Sequence, residues 1–170
     1  MGAHTYTRAM MLTTCLWFDG TGRAAAEFYV RTFPDSSIEG NWISEADGPG
    51  NSAGDEVVVN FKIFGMPFIA LNGGPHFTHS PAISFQIPCQ NQDEIDHYWD
   101  VLTSDGGEES QCGWVIDKFG VSWQVISSEM NDYLGGPSAA GSKAATEAMM
   151  GMRKIDLAAM RAAYEAAAAS

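Results

Sequence analysis

Sliding the chain 69 residues along itself sets Leu16 against Phe85, Phe18 against Ile87, Tyr29 against Tyr98 and Phe33 against Leu102. The apolar pattern keeps register, and strand followed by helix recurs at the same offset, so the chain reads as a duplicated module. In the first half "MLTTCLWF" has the pattern of a strand, and "GRAAAEFYVRTF" that of a helix ended by Pro34. "SSIEGNWIS" is a further strand, and after the loop "EADGPGNSAG" the runs "DEVVVNFKIFG" and "MPFIALNGG" form a hairpin at Gly65. The second half restarts with the strand "PAISFQIPC" and the helix "NQDEIDHYWDVLTSDGG", with Asn91 or Gln92 near its start and Gly106 past its end. "EESQCGWVID" and "VSWQVISS" supply its remaining strands. The expected fold is α+β: two tandem βαβββ modules with mixed sheets curved around a cup, plus C-terminal helices.

Residues 1–10 read as a leader or a disordered segment, 11–130 as one domain with module one at 11–74 and module two at 81–128, and 131–170 as a helical extension. Within the extension "NDYLGGPSAAGS" is linker-like, whereas "KAATEAMMGMRK" and "DLAAMRAAYEAAAA" are alanine-rich helix formers. Asp156 suits an N-cap, and Leu157, Met160 and Tyr164 share one helix face. That stripe has to cover either its own domain or a second copy of the chain.

A net charge of −12 argues against nucleic acid and anionic membranes as partners, because both require clustered Lys and Arg. No apolar run approaches the roughly 20 residues of a membrane span. Cys15, Cys89 and Cys112 are an odd number at irregular spacing, which suits reduced thiols in the cytoplasm better than a disulfide framework.

Alternation divides each strand into two faces. Leu16 and Phe18 oppose Thr13, Cys15 and Trp17; Ile69 and Leu71 oppose Ala70 and Asn72. Ile83, Phe85 and Ile87 oppose Ala82, Ser84 and Gln86; Trp123 and Val125 oppose Ser122 and Gln124. One set is wholly apolar and should carry the helices. The other mixes small, polar and thiol groups, as a partly polar cup would. Gln124 is its most telling member, a glutamine where an apolar residue would suffice for a strand.

The duplicated order, "FDG" before the first helix, "ALNGG", "AISFQI" and "CGWVIDKFGVSWQ" resemble the vicinal oxygen chelate superfamily of glyoxalase I and bleomycin-resistance proteins. The nearest branch is the 3-demethylubiquinone-9 3-methyltransferase-like, or PhnB-like, one; the resemblance runs from Leu12 to Ser127, and "RKIDLAAM" in the tail fits it too. It implies a homodimer and a small-molecule ligand in a cup lined by Trp17, Asn72, Ser84, Gln86, Cys112, Trp114 and Gln124. It also implies that the metal-ligand positions of the superfamily fall on Thr13, Ala70, Ala82 and Gln124. Only Gln124 could bind a metal there, and a transition-metal site needs about three or four protein ligands, so neither a metal nor another cofactor is expected. Whether the protein is an enzyme is left open. The alternatives are an enzyme acting on an aromatic or quinone-like substrate and a glyoxalase-like metalloenzyme using Gln124 with His76 and His79.

Two further patterns compete for chemistry. Gly20, Gly22 and Ala25 match the G-x-G-x-x-A dinucleotide fingerprint, but that motif belongs to strand–helix alternation in a parallel sheet, whereas hairpin-like strands follow here. The same reasoning counts against a conventional S-adenosylmethionine site. Cys112 would need a neighbouring His, cation or helix N-terminus to act as a nucleophile, and the sequence offers none beside it.

Overall fold

A computed structural model describes residues 12–169, so the expected leader at 1–10 lies outside the described residues. The chain divides into two compact units, Met1–Thr78 and His79–Ser170. In the first, β1 (Thr14–Phe18) and α1 (Gly22–Thr32) precede β2 (Ser37–Ile43), β3 (Glu56–Ile63) and β4 (Met66–Asn72). The sheet order is β1-β4-β3-β2, with β1 parallel to β4 and the other pairs antiparallel. Every second residue of β3 is buried, Val57, Val59, Phe61 and Ile63, and α1 lays Ala25, Phe28 and Tyr29 on that face. Tyr29 stacks on Phe61, and Phe61 on Phe68. Phe64 and Gly65, both at positive φ (50° and 71°), make the β3–β4 turn in the form whose twist matches the strands.

The second unit repeats the topology: β5 (Phe85–Cys89), α2 (Gln92–Thr103), β6 (Glu108–Glu109), β7 (Trp114–Ile116) and β8 (Ser122–Ser127), ordered β5-β8-β7-β6. The third and fifth residues of β1 and β5 are the buried ones, Leu16 and Phe18 against Ile87 and Cys89. These partners stand 71 residues apart (87 − 16), two more than the offset that best aligned the apolar letters. A slip of two preserves the alternation, so β1 and β5 keep the expected faces. Asn91 caps α2 by accepting from Glu94 N at 3.0 Å. The expected strand "EESQCGWVID" is broken: Cys112 and Gly113 adopt φ of 55° and 84° and turn the chain between β6 and β7.

Three helices complete this unit: α3 (Met130–Leu134), α4 (Ala139–Met150) and α5 (Leu157–Ala168). The stretch read as a linker contains most of α3 and the start of α4, because Met130 and Tyr133 are buried and Ser138 caps α4 by accepting from Gly141 N. Asp156 caps α5 as expected. Leu157 and Met160 are buried in their own unit, and the Tyr164 ring lies so close to Gly136 and Gly141 that neither has room for a Cβ.

Two face assignments need correction. In β4 the buried residues are Phe68 and Ala70, in register with Thr14 and Leu16, while Ile69 and Leu71 occupy the open side. The small Ala70 belongs under the helix because α1 starts almost in contact with the sheet: a Cβ at Gly22 would lie 3.2 Å from that of Ala70. Asn72 goes with Ala70, away from the expected cup. Ile83, expected on the packed face, is 75% exposed and lies in the turn before β5, as does Ala82.

Candidate functional site

Pairing sets Gln86 opposite Gln124 and Gln124 opposite Trp114, so three expected cup residues form one row across β5, β8 and β7. They share a face because Ile87, Val115, Trp123 and Val125 between them point the other way into the core. The Gln124 amide is tied at both ends: Nε2 donates to Ser84 Oγ at 2.8 Å, and Oε1 accepts from Gln86 Nε2 at 3.2 Å. A primary amide has two donor hydrogens and two acceptor lone pairs, so one of each is left over.

Beside this row is a recess of about 430 Å³. Its floor is Cys112, Trp114, Gln124 and Ile126, and Met130, Leu134 and Met149 wall it from the C-terminal helices. Apart from the Cys112 thiol no lining side chain is ionisable. Cys112 Sγ donates to Met149 O at 3.6 Å and its backbone N to Met152 O, so its hydrogen bonds go to carbonyls and not to an activating base or cation. The recess therefore combines an indole face, thioether and aliphatic walls, the oriented Gln124 amide and the uncharged polar residues Ser127, Ser128 and Asn131 at its edge.

Trp17 and Asn72 stand in the first unit and do other work. Trp17 Nε1 donates to Gly74 O at 2.8 Å, and the ring meets Phe77 edge-on at 5.0 Å. Asn72 Oδ1 accepts from Gly22 N at 2.8 Å while its Nδ2 donates to Glu56 O at 2.8 Å, so it joins the start of α1 to the start of β3. A polar recess of about 340 Å³ adjoins it, lined by Asp19, Arg23, Asp55 and Glu56 among others. Arg23 and Glu56 engage each other there through two hydrogen bonds, and the guanidinium holds the Glu56 carboxyl below its ordinary range.

The residues do not fit a metal of the superfamily's kind. Thr13 is exposed and precedes β1, Ala82 is exposed and precedes β5, and Ala70 is fully buried under α1 with no donor atom. Gln124 alone faces a recess, and among the described residues no three His, Cys, Asp or Glu side chains cluster. His76 is exposed in the first unit, whereas His79 belongs to the second. S-adenosylmethionine fits no better. Asn72 occupies the Gly22 amide at the glycine-rich turn, and the recess in the second unit lacks charged partners for a sulfonium amino acid.

Burial at Cys89 pushes its thiol up to about 12, and burial raises Cys15 as well, so neither is an activated thiolate. Asp117, in the turn between β7 and β8, is 2% exposed. It accepts from the backbone N–H groups of Phe119 and Val121 and from Trp123 Nε1 at 2.8 Å. It thus pins the β7–β8 connection that places Gln124. Sequence reasoning missed the recess walls Met130, Leu134 and Met149; their side chains signal only apolar helix faces, and nothing local says which sheet they meet.

Two open four-stranded sheets with the same strand order, each faced by a helix, define a glyoxalase/bleomycin-resistance-like fold. The family model described as 3-demethylubiquinone-9 3-methyltransferase matches residues 10–126, and the chain belongs to that family. The PhnB protein from Bacillus cereus is 31% identical with a TM-score of 0.60, over 68% of this chain and 97% of that one. Protein PA1353 from Pseudomonas aeruginosa is 17% identical with a TM-score of 0.54, over 68% and 95%. The fosfomycin resistance protein FosX from Listeria monocytogenes is 14% identical with a TM-score of 0.48, over 75% and 97%. No curated protein matches the chain.

Proposed function

We propose that this chain binds a small, uncharged, largely aromatic molecule in the recess of its second unit, without a metal. The observation that carries the reading is the recess itself: about 430 Å³, no charged side chain, and an indole and a part-free amide on its floor. Burying a charge there would cost several kcal/mol without compensation, whereas a planar apolar molecule gains contact with Trp114 and a hydrogen bond to Gln124. The only ionisable lining group is Cys112, so there is no acid–base pair to turn the ligand over. Such a ligand is compatible with the quinone-related name of the family, but among the described residues neither recess suits the S-adenosylmethionine that the methyl-transfer part of that name calls for. A homodimer in the cytoplasm belongs to the same reading, supported by the superfamily resemblance and by three free cysteines.

The test is equilibrium binding of 1-naphthol and of S-adenosylmethionine by calorimetry. Saturable one-to-one binding of 1-naphthol, weakened in Trp114→Ala, and no binding of S-adenosylmethionine are expected. Failure to bind 1-naphthol, or stoichiometric S-adenosylmethionine, would overturn the reading.

A further inference from the structure

The family match ends at residue 126, whereas Met130, Leu134 and Met149 on the far side of the recess come from helices beyond it. The floor of the recess thus lies inside the matched segment and the wall outside it. The tail that carries the wall is fastened to the floor at several points. Cys112 N donates to Met152 O at 2.9 Å and Gly113 N to Arg153 O at 2.7 Å, so the recess residue Cys112 is itself a docking point. Gln92 on α2 clamps the following segment from both sides: its Nε2 donates to Ile155 O at 2.9 Å, and its Oε1 accepts from Leu157 N at 3.0 Å. Lys154 pairs with Asp96 at 2.8 Å, and Ile155 is fully buried. Gly113, for its part, must lack a side chain, since a Cβ would lie 3.1 Å from Ile155 Cγ1 and 2.7 Å from Val125 O. These bonds hold α4 in one position, and with it the side chain of Met149.

We infer that the C-terminal helices are a structural part of the binding site and that Leu134 and Met149 determine the size of ligand it accepts. This rests on the reading of the recess as a ligand site. Both residues are half-buried and line open space, so truncating them enlarges the recess instead of emptying a packed core. Met150, the next residue along α4, is 66% exposed and does not line the recess. The tail would then let one family scaffold take different neutral ligands by varying two helix positions, leaving the sheet unchanged.

The experiment measures dissociation constants of the full chain for the two-ring probe 1-naphthol and the three-ring probe 9-phenanthrol. In Met149→Ala and Leu134→Ala the preference should move toward 9-phenanthrol by about tenfold, the scale of small volume changes in apolar pockets. In Met150→Ala it should not move. Leu134→Phe, which fills space, should move it the opposite way and covers the case in which an alanine variant folds poorly. General loosening would weaken both probes together and leave their ratio constant. An unchanged ratio in the folded lining variants overturns the inference while leaving the recess as a ligand site. Absence of binding by the wild type to either probe overturns both.

Discussion

Replacing Gln124 with leucine separates the scaffold role of the amide from its role toward a ligand. The substitution removes two side-chain hydrogen bonds, to Ser84 at 2.8 Å and from Gln86 at 3.2 Å. Each contributes about 0.5–1.5 kcal/mol to stability. Gln86 is exposed and Ser84 half-buried, so both partners recover much of that from water, and leucine adds apolar contact with Trp114 across the strand pair. The net cost should be about 1 kcal/mol or less, a Tm change of about 2–4 °C for a chain of this size. Binding should respond differently. The remaining donor and acceptor of the amide can meet a ligand hydroxyl, and losing one such bond costs about 1 kcal/mol, roughly fivefold in Kd. 1-Naphthol should therefore weaken about fivefold in Gln124→Leu while naphthalene, which lacks the hydroxyl, binds as before or slightly tighter. Fluorescence titration of both probes against both proteins reads the ratio. Equal ratios in wild type and variant would refute the amide's role, and a Tm loss well beyond that range would make Gln124 a scaffold residue first.

Asn72→Ala leaves the buried Gly22 N–H and the Glu56 carbonyl without their partner, and chemical denaturation should register a loss of about 2–4 kcal/mol. 1-Naphthol binding by the folded fraction should be unchanged. Arg23 depresses the Glu56 carboxyl below its ordinary 4.5, so the pair's contribution is present above that pH and is lost as the pH falls through the depressed value. The stability difference between wild type and Glu56→Gln should accordingly be about 1 kcal/mol at neutral pH, given the partial exposure of both groups, and should vanish in acid; a difference that grows on acidification would contradict the pairing. Ile155→Ala, at a fully buried site against Gly113, should destabilise by about 2–5 kcal/mol and speed amide exchange in α4 and α5 before the rest of the unit. Uniform exchange across the unit would show that the tail is not a separately anchored element.

Much of the fold was legible because it is written in local patterns. The duplication, the two helix caps at Asn91 and Asp156 and the packed faces of β1, β5 and β8 all follow from periodicities of 2 and 3.6 and from polar residues at helix starts. The row of Trp114, Gln124 and Gln86 could be anticipated from parity together with the family resemblance. The same rule misassigned β4, where the less apolar face is the buried one. Ala70 is small because α1 approaches closely, and Asn72 is polar because it caps that helix from a strand 50 positions away. Its side-chain chemistry was read correctly and its partner was not.

By itself, then, the sequence determined the repeated modules, the helix starts at Asn91 and Asp156 and the lack of any side-chain donor at Ala70 and Ala82, since these depend on residue type and near neighbours. Tertiary structure alone decided where the recess lies and what walls it. Cys112 meets Met152 across 40 positions and Gln92 meets Leu157 across 65, and such contacts depend on which surfaces remain available once each module has formed its core. An apolar helix face must be covered by something, but the hydrophobic effect that drives its burial is non-directional and does not name the partner.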